Sequence, residues 1–405
     1  MALVTELDVP EFDYFDETLR GERFHATMAD LAARSWVAKA PLGYIVLDRE
    51  AGNHLLRTKA TTFPGMKIAE LFEITEGPLY EEMRRNILHI NGADHARLRG
   101  LVNPAFTPRS ADRWRPAMRG FAEGLLAPML DAGRCEFVED FAKLYPSQVI
   151  ATVMGAPLSD APRLHHWSNW IQRQFDGPSL IEDRALIEEA CQEFYDWARP
   201  LIVQRRATPG DDLISTLIAA RDGDDRLDDD ELVNLVLNVL VGGVDTTQSQ
   251  LAHAVRLLAE HPDQWAALRA DPSLAAAAAD ETLRYEPITP FTSRIMLEDV
   301  EINDVTFPEG TIVMVSAFNA NRDAGAIDAP DTFDITADRG AAKPLTFGAG
   351  IHYCLGANLA RAEMQEALTL FAERVATLEL DGDAELGSIQ GIYGVDRLPL
   401  RLAAA

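Results

Sequence analysis

Three cysteines in 405 residues, at 135, 191 and 354, are too few and too scattered for a disulfide framework or a zinc site. Basic residues are scarce as well: 37 Lys and Arg stand against 64 Asp and Glu, a formal net charge of −27. That balance excludes a general nucleic-acid binder and adhesion to anionic lipid, since both need a basic surface. No apolar run is long enough to span a bilayer. The first twenty residues are acidic and lack the basic and apolar regions of a signal peptide, so a soluble, cytoplasmic protein is expected. A Gly-x-Gly-x-x-Gly fingerprint after a strand, the mark of a flavin or NAD site, is missing too.

What is plentiful is apolar: 47% of the residues are hydrophobic, ample for a sizeable core. The first forty residues read as irregular and acidic, then mostly helical. Gly43–Leu47 is strand-like and ends at Asp48, with a helix expected to about Lys59. Residues 60–93 read as a long loop with short helices and many apolar side chains, a form more often functional than idle. From Asp94 to about Glu260 the pattern is helical, interrupted at Pro104, Pro157, Gly177-Pro178 and Pro209-Gly210, with an acidic turn at 219–230. Strand character is expected from Leu283 to Ser316. There Val300-Glu301-Ile302 and Val305-Thr306-Phe307 flank an Asn-Asp turn as a hairpin, and a further strand follows at Thr311–Val315. A loop-rich section at 319–346 and a final strand at 398–402 complete a helix-rich chain with a minor β component. No repeat, linker or composition break divides it, so residues 1–405 are expected to form one domain.

Three stretches point to chemistry. The first is Phe347-Gly348-Ala349-Gly350-Ile351-His352-Tyr353-Cys354-Leu355-Gly356. Glycines at 348, 350 and 356 can take positive φ and lie against something flat. Cys354 stands just before a helix expected over Ala357–Ala372, where unpaired N–H groups and the helix dipole favour thiolate, the metal-binding form. Alone, such a cysteine could equally be a buried structural residue.

The second is Glu231–Glu260, expected as one helix roughly 45 Å long at 1.5 Å per residue. Asp228 and Glu231 form a capping box at its start, and His261-Pro262 stops it. Its first half is apolar on nearly every face and therefore buried. Each glycine of the pair Gly242-Gly243 costs about 1 kcal/mol against alanine, which close approach by a bulky group would explain. Thr246 can bond the Gly242 carbonyl and open the turn. A helix-packing glycine pair beside a solvent-facing Asp245 is the plainer reading.

The third is Glu281-Thr282-Leu283-Arg284, an acid–base pair on one helix face, worth under about 1 kcal/mol if solvated.

Together these stretches resemble the cytochrome P450 monooxygenases, whose haem-binding loop reads Phe-x-x-Gly-x-His-x-Cys-x-Gly. The resemblance covers the chain from about residue 40 to its end, with the motifs in the family's order. It implies a mainly helical triangular prism with a minor β region and a long central helix over haem. It also implies Cys354 as the axial ligand of haem b, with Phe347, His352 and Gly356 in the cofactor loop. Asp245 and Thr246 would be the acid–alcohol pair that delivers protons for O–O cleavage, O2 being the co-substrate. Glu281, Arg284 and a third partner, Arg339, would brace the core behind the loop. Arg339 falls later in the sequence than the family pattern places that arginine. His95, Arg99, Arg294 and His352 would meet the haem propionates, and Arg97 would face solvent.

Arginines at 97, 109, 113, 115 and 119 are either ordinary surface residues or, by resemblance, a docking face for an acidic ferredoxin. Electrons would then come from an iron–sulfur ferredoxin and its NAD(P)H-dependent reductase. An apolar small-molecule pocket is expected from Phe63, Phe72, Ile74, Trp170, Val239, Leu240, Gly243, Ile288, Phe291, Ile392 and Tyr393, with Met66, Leu79 and Phe175 beside them. The expected reaction inserts one oxygen atom into that substrate, by hydroxylation or epoxidation. The alternatives are a peroxide-driven peroxygenase, a non-catalytic haem sensor, or a helical protein without haem.

Overall fold

The computed structural model describes residues 2–222 and 225–405. The acidic turn expected at 219–230 therefore has residues 223 and 224 outside the described residues. Helices dominate, accompanied by small sheets. The chain divides into two compact units, Met1–Pro64 with Asp280–Cys354 and Leu386–Gly394, and Gly65–Ala279 with Leu355–Glu385 and Val395–Ala405.

The first unit is organised on a five-stranded sheet in the order Val37–Ala40, Gly43–Val46, Ile312–Ser316, Phe291–Met296, Thr61–Thr62. Gly43–Val46 and Ile312–Ser316 pair in parallel, and the other neighbours are antiparallel. Asp48 ends the strand that the sequence marks and caps helix Arg49–Arg57 by accepting from the Ala51 amide. The Asn-Asp hairpin pairs Val305 with Ile302, and both turn residues have positive φ, 51° and 62°, as a two-residue type I′ turn requires. Helix Ala275–Tyr285 runs past Leu283, so strand character begins only at Phe291.

The second unit is helical, with a three-stranded antiparallel sheet of Arg134–Glu136, Pro399–Ala404 and Val375–Leu380 and a two-stranded one of Arg221–Asp222 and Asp225–Arg226. The expected single helix 231–260 is two: Asp229–Gly243 and Asp245–Glu260, meeting at Val244 (φ −96°, ψ −72°). Asp228 and Glu231 form the capping box, and Pro262 opens a new helix after His261. The helix after the cysteine loop spans Ala357–Arg374, two residues beyond expectation. Among the described residues no helix is long and apolar enough to cross a membrane.

Candidate active site

In the first unit the cysteine loop is closed on itself. The Cys354 amide donates to the Phe347 carbonyl at 3.0 Å, Gly348 to Leu345 at 2.8 Å and Tyr353 to Gly350 at 3.2 Å. Gly348 and Gly350 take positive φ, 67° and 71°; Gly356, at φ −83°, does not, and instead precedes the helix that starts at Ala357. Gly350 has no room for a side chain, because a Cβ there would lie 2.4 Å from the Leu56 carbonyl oxygen. A Cβ on Gly348 would meet nothing within 4 Å. Gly350→Ala combines backbone strain with a clash against main chain, so it is expected to cost about 2 kcal/mol or more. Gly348→Ala carries the strain alone, about 1 kcal/mol. Thermal midpoints of the two variants check this; equal losses would remove the Leu56 contact as the cause.

Behind this loop Glu281 lies between two arginines. Arg284 grips it with both nitrogens at 2.8 Å, and Arg339 does so at 2.6 and 3.2 Å. Glu281 and Arg284 are buried, so the solvated-face reading fails. Burial pushes the Glu281 carboxyl up, but the two guanidiniums outweigh it and hold it below the usual range. Arg284 also donates to the Asn321 carbonyl at 3.1 Å. Asn321 in turn receives the Leu345 amide at 2.7 Å and donates to Thr346 at 2.9 Å. The ion network is thus wired to the residues that enter the cysteine loop. Nothing in the sequence marks Asn321 for that task.

Arg294 sits on strand Phe291–Met296, 3% exposed. One guanidinium nitrogen donates to the Ser293 carbonyl at 2.8 Å, and no carboxylate among the described residues pairs with it. Burial lowers its pKa to about 10. A buried cation without a counter-charge is costly unless an anion joins it.

In the second unit, His95 and Arg99 lie one turn apart on helix Gly92–Val102. Burial and the Arg99 charge both lower the His95 pKa, so this pair too favours an anionic neighbour. Arg97 does not face solvent freely; it pairs with Glu231.

At the break in the long helix, the Thr246 hydroxyl donates to the Gly242 carbonyl at 2.6 Å. Asp245 is buried, not solvent-facing. Ser168, on helix Ala161–Gln172, donates to it at 2.6 Å. Burial raises the Asp245 pKa, while the Ser168 bond and the His165 charge pull the other way. Ser168 is 77 residues away in sequence, and a lone serine in a helix gives no signal of this role.

Around the break, Asn238, Val239, Gly242, Gly243 and Thr246 are at least partly accessible, whereas Leu232–Leu237, Leu240, Val241, Val244 and Asp245 are buried. One narrow stripe of an otherwise buried helix is therefore open. The two glycines have different reasons. A Cβ on Gly243 would strike Ile150 at 2.5 Å, so that glycine serves helix packing, not approach by a ligand. Gly242 faces open space.

Several expected pocket residues belong to the core instead. Ile74, Leu79 and Leu240 are buried in the second unit. In the first unit, Phe291 packs against Phe12, Tyr14 and Phe24. Tyr393 packs on Phe24, and its hydroxyl accepts from the Gly21 amide at 2.9 Å. Ile288 is also buried there. Phe63, Met66, Phe72, Trp170, Phe175, Val239 and Ile392 stay half-buried.

The arginine run is largely neutralised. Arg113 meets Asp211 at 2.9 Å, Arg115 meets Asp112 and Glu366 at 2.7 and 2.9 Å, and Arg119 meets Glu123 and Glu373. The net positive field there is smaller than five arginines suggest, because Asp211, Glu366 and Glu373 from distant segments join the local Asp112 and Glu123.

Comparison with known proteins decides the family. The family model described as Cytochrome P450 matches residues 44–377. The chain belongs to the cytochrome P450 family. This P450 is 36% identical over 403 residues to a luteothin monooxygenase of Streptomyces thioluteus, covering 98% of this chain and 97% of that protein. It is 35% identical over 329 residues to a cyclomarin C epoxidase of Salinispora arenicola, covering 80% and 82%. Among solved structures, CalO2 superposes with a TM-score of 0.90 at 29% identity, over 98% of this chain and 99% of that one.

The P450 is an oxidoreductase that uses haem and O2, acts as a monooxygenase on small molecules and draws on redox partners. Its residues fit haem within each unit: a lone thiol in a glycine-shaped loop and a buried, acid-free Arg294 in one, the His95–Arg99 pair in the other.

Proposed function

We propose that this P450 hydroxylates or epoxidises an apolar small organic molecule, with Cys354 as the ligand of haem b. The observation that carries the cofactor assignment is Arg294, a buried guanidinium with no carboxylate partner among the described residues, which a propionate would neutralise. His95, Arg99 and His352 are the further propionate donors in this reading, and Phe347 and Gly356 complete the cofactor loop. When bound, the haem supplies O2 activation and the electron-rich thiolate bond that favours O–O cleavage. The protein supplies the protons. Thr246 presents a hydroxyl already aligned on the helix, and Asp245, held by Ser168, replenishes it from a buried carboxyl.

The half-buried side chains of Phe72, Trp170 and Val239, all in the second unit, exclude water and hold the substrate by shape. A separate ferredoxin and its NAD(P)H-dependent reductase deliver electrons to a single haem domain in the cytoplasm. The neutralised arginine run leaves that encounter to shape and local pairs more than to a broad positive field. One relative is a monooxygenase and another an epoxidase, which matches the two outcomes proposed.

The test is the ferrous–CO spectrum of freshly purified protein. A red-shifted Soret band of a thiolate-ligated haem is expected, and its absence would overturn the assignment. Thr246→Ala is expected to uncouple turnover, so that peroxide replaces product at an unchanged rate of electron use. Coupling equal to wild type would remove Thr246 from the proton path.

A further inference from the structure

Glu82 has no part in the chemistry above, yet it is the most deeply buried carboxylate on helix Pro78–Arg85, 0% exposed. Its Oε1 accepts from the Asn86 amide at 2.6 Å and from the Asn238 amide at 3.2 Å. Asn238 is the first residue of the open stripe on helix Asp229–Gly243, directly before Val239. Its own side-chain oxygen receives the Ile87 amide at 3.1 Å. One carboxyl oxygen therefore ties the end of helix Pro78–Arg85 to the stripe through an amide bonded on both sides.

The other oxygen, Oε2, has no donor, and neither has the side-chain oxygen of Gln174, whose side chain lies alongside. A fully buried carboxylate oxygen without a donor is costly, and a proton on it removes that deficit. Among the described residues, the groups around Glu82 supply no cation. From helix Arg184–Ala207 come the Cys191 thiol and the Tyr195 phenol, with Glu188 on the same side. From helix Asp229–Gly243 come the amides of Asn238 and of Asn234, the latter bonded to Tyr195. His89, in the loop that follows, is bonded to the Met83 carbonyl. Arg85, on the same helix as Glu82, is taken up by Glu81 at 3.0 Å and Asp230 at 2.8 Å.

We propose that Glu82 is a positioning residue: its protonated carboxyl latches helix Pro78–Arg85 to Asn238 and Gln174, and loss of the proton frees the Asn238–Val239 end of the open stripe. Burial, the dominant cause, raises its pKa to about 7, against about 4.5 when solvated, so the latch is tightest in acid. The sign follows by linkage. The open latch releases its proton above about 4.5 and the closed one keeps it to about 7. Opening therefore grows between those values, about five- to sevenfold per pH unit from pH 5 to 7, and levels off above that. The consequence for substrate binding rests on the monooxygenase reading; the latch itself does not.

The experiment is amide exchange of residues 84–92 in the holoprotein from pH 5 to 8.5, corrected for intrinsic exchange chemistry, in wild type, Glu82→Gln and Asn238→Ala. Glutamine reproduces the protonated acid, with an oxygen for Asn86 and Asn238 and an N–H for Gln174. Opening in wild type is expected to rise about fortyfold between pH 5 and 7 and to flatten by pH 8, while Glu82→Gln stays closed and flat throughout. Asn238→Ala, which removes the tie and leaves the titrating group, is expected to be open at every pH. The affinity for 4-phenylimidazole, read as a wild-type to Glu82→Gln ratio so that the probe's own titration cancels, should fall over the same window.

A flat wild-type profile, or the same profile in Glu82→Gln, overturns the proposal. Should Glu82→Gln not fold, the wild-type profile and Asn238→Ala decide alone. The exchange measurement involves no iron chemistry, so failure of the ferrous–CO test and failure of the latch are separate results.

Discussion

Replacing Cys354 with serine is expected to abolish the red-shifted ferrous–CO band and all product formation while leaving the fold intact. The loop around residue 354 is held by main-chain bonds, Cys354 to Phe347 and Gly348 to Leu345, and by the Gly350 approach to Leu56, none of which needs sulfur. Thermal stability should therefore change by no more than about 0.5 kcal/mol, as for a half-buried near-isosteric exchange. The spectroscopic loss, in contrast, should be complete, because serine offers no thiolate at working pH.

No other thiol can stand in. Burial and two nearby carboxylates push the Cys135 thiol up to about 12, and full burial raises Cys191 well above its ordinary value. Both stay protonated, and a protonated thiol is a poor iron ligand. A Cys354→Ser protein that kept the red-shifted band would show that the thiolate comes from elsewhere.

The largest loss of stability is expected from Glu281→Ala. Removing that carboxylate leaves Arg284, 2% exposed, and Arg339 facing each other without an anion, which costs roughly 3–5 kcal/mol, a large part of a marginal fold's stability. A surface pair such as Arg34–Asp30, broken as a control, should cost under about 0.5 kcal/mol. Because the Arg284 network reaches Leu345 and Thr346 through Asn321, the variant should also retain haem poorly.

The pH dependence has a definite sign. The folded-state pKa of Glu281 is depressed, so its contribution is present above the solvated value near 4.5 and is lost as pH falls through the folded value. Denaturant titrations at pH 7 and in acid check both statements. A loss near 1 kcal/mol at pH 7 would mean that the two arginines find other partners.

Where the sequence spoke clearly, the signal was local. The Asn-Asp turn requires positive φ at both residues, and both adopt it. Asp228 with Glu231 and His261 with Pro262 marked the ends of the long helical segment, because capping and proline act within one turn. The break at Val244 was half-legible: the Thr246 bond to Gly242 is an i to i−4 contact, but its consequence for the helix was not. The single-helix expectation failed there because periodicity continues across the break.

Short strands such as Arg134–Glu136 and Val375–Leu380 went unseen, since their pairing partner lies at 399–404 and few residues carry the pattern. For the same reason the pocket list mixed core with surface. Leu240 and Val239 are neighbours of equal hydrophobicity, yet one is buried and the other lies on the open stripe.

The sequence by itself determined the family, the mainly helical class, the cysteine loop and the Asp245-Thr246 pair, because each is written in residues close together along the chain. Only the tertiary structure decided that Gly243 makes room for Ile150, that Arg294 is buried without an acid, and that Ser168 holds Asp245. It alone also placed Glu82 against Asn238 and surrounded the arginine run with carboxylates. Burial and charge pairing are properties of neighbours in space, and the carboxylates that meet the arginine run come from as far as 254 residues away.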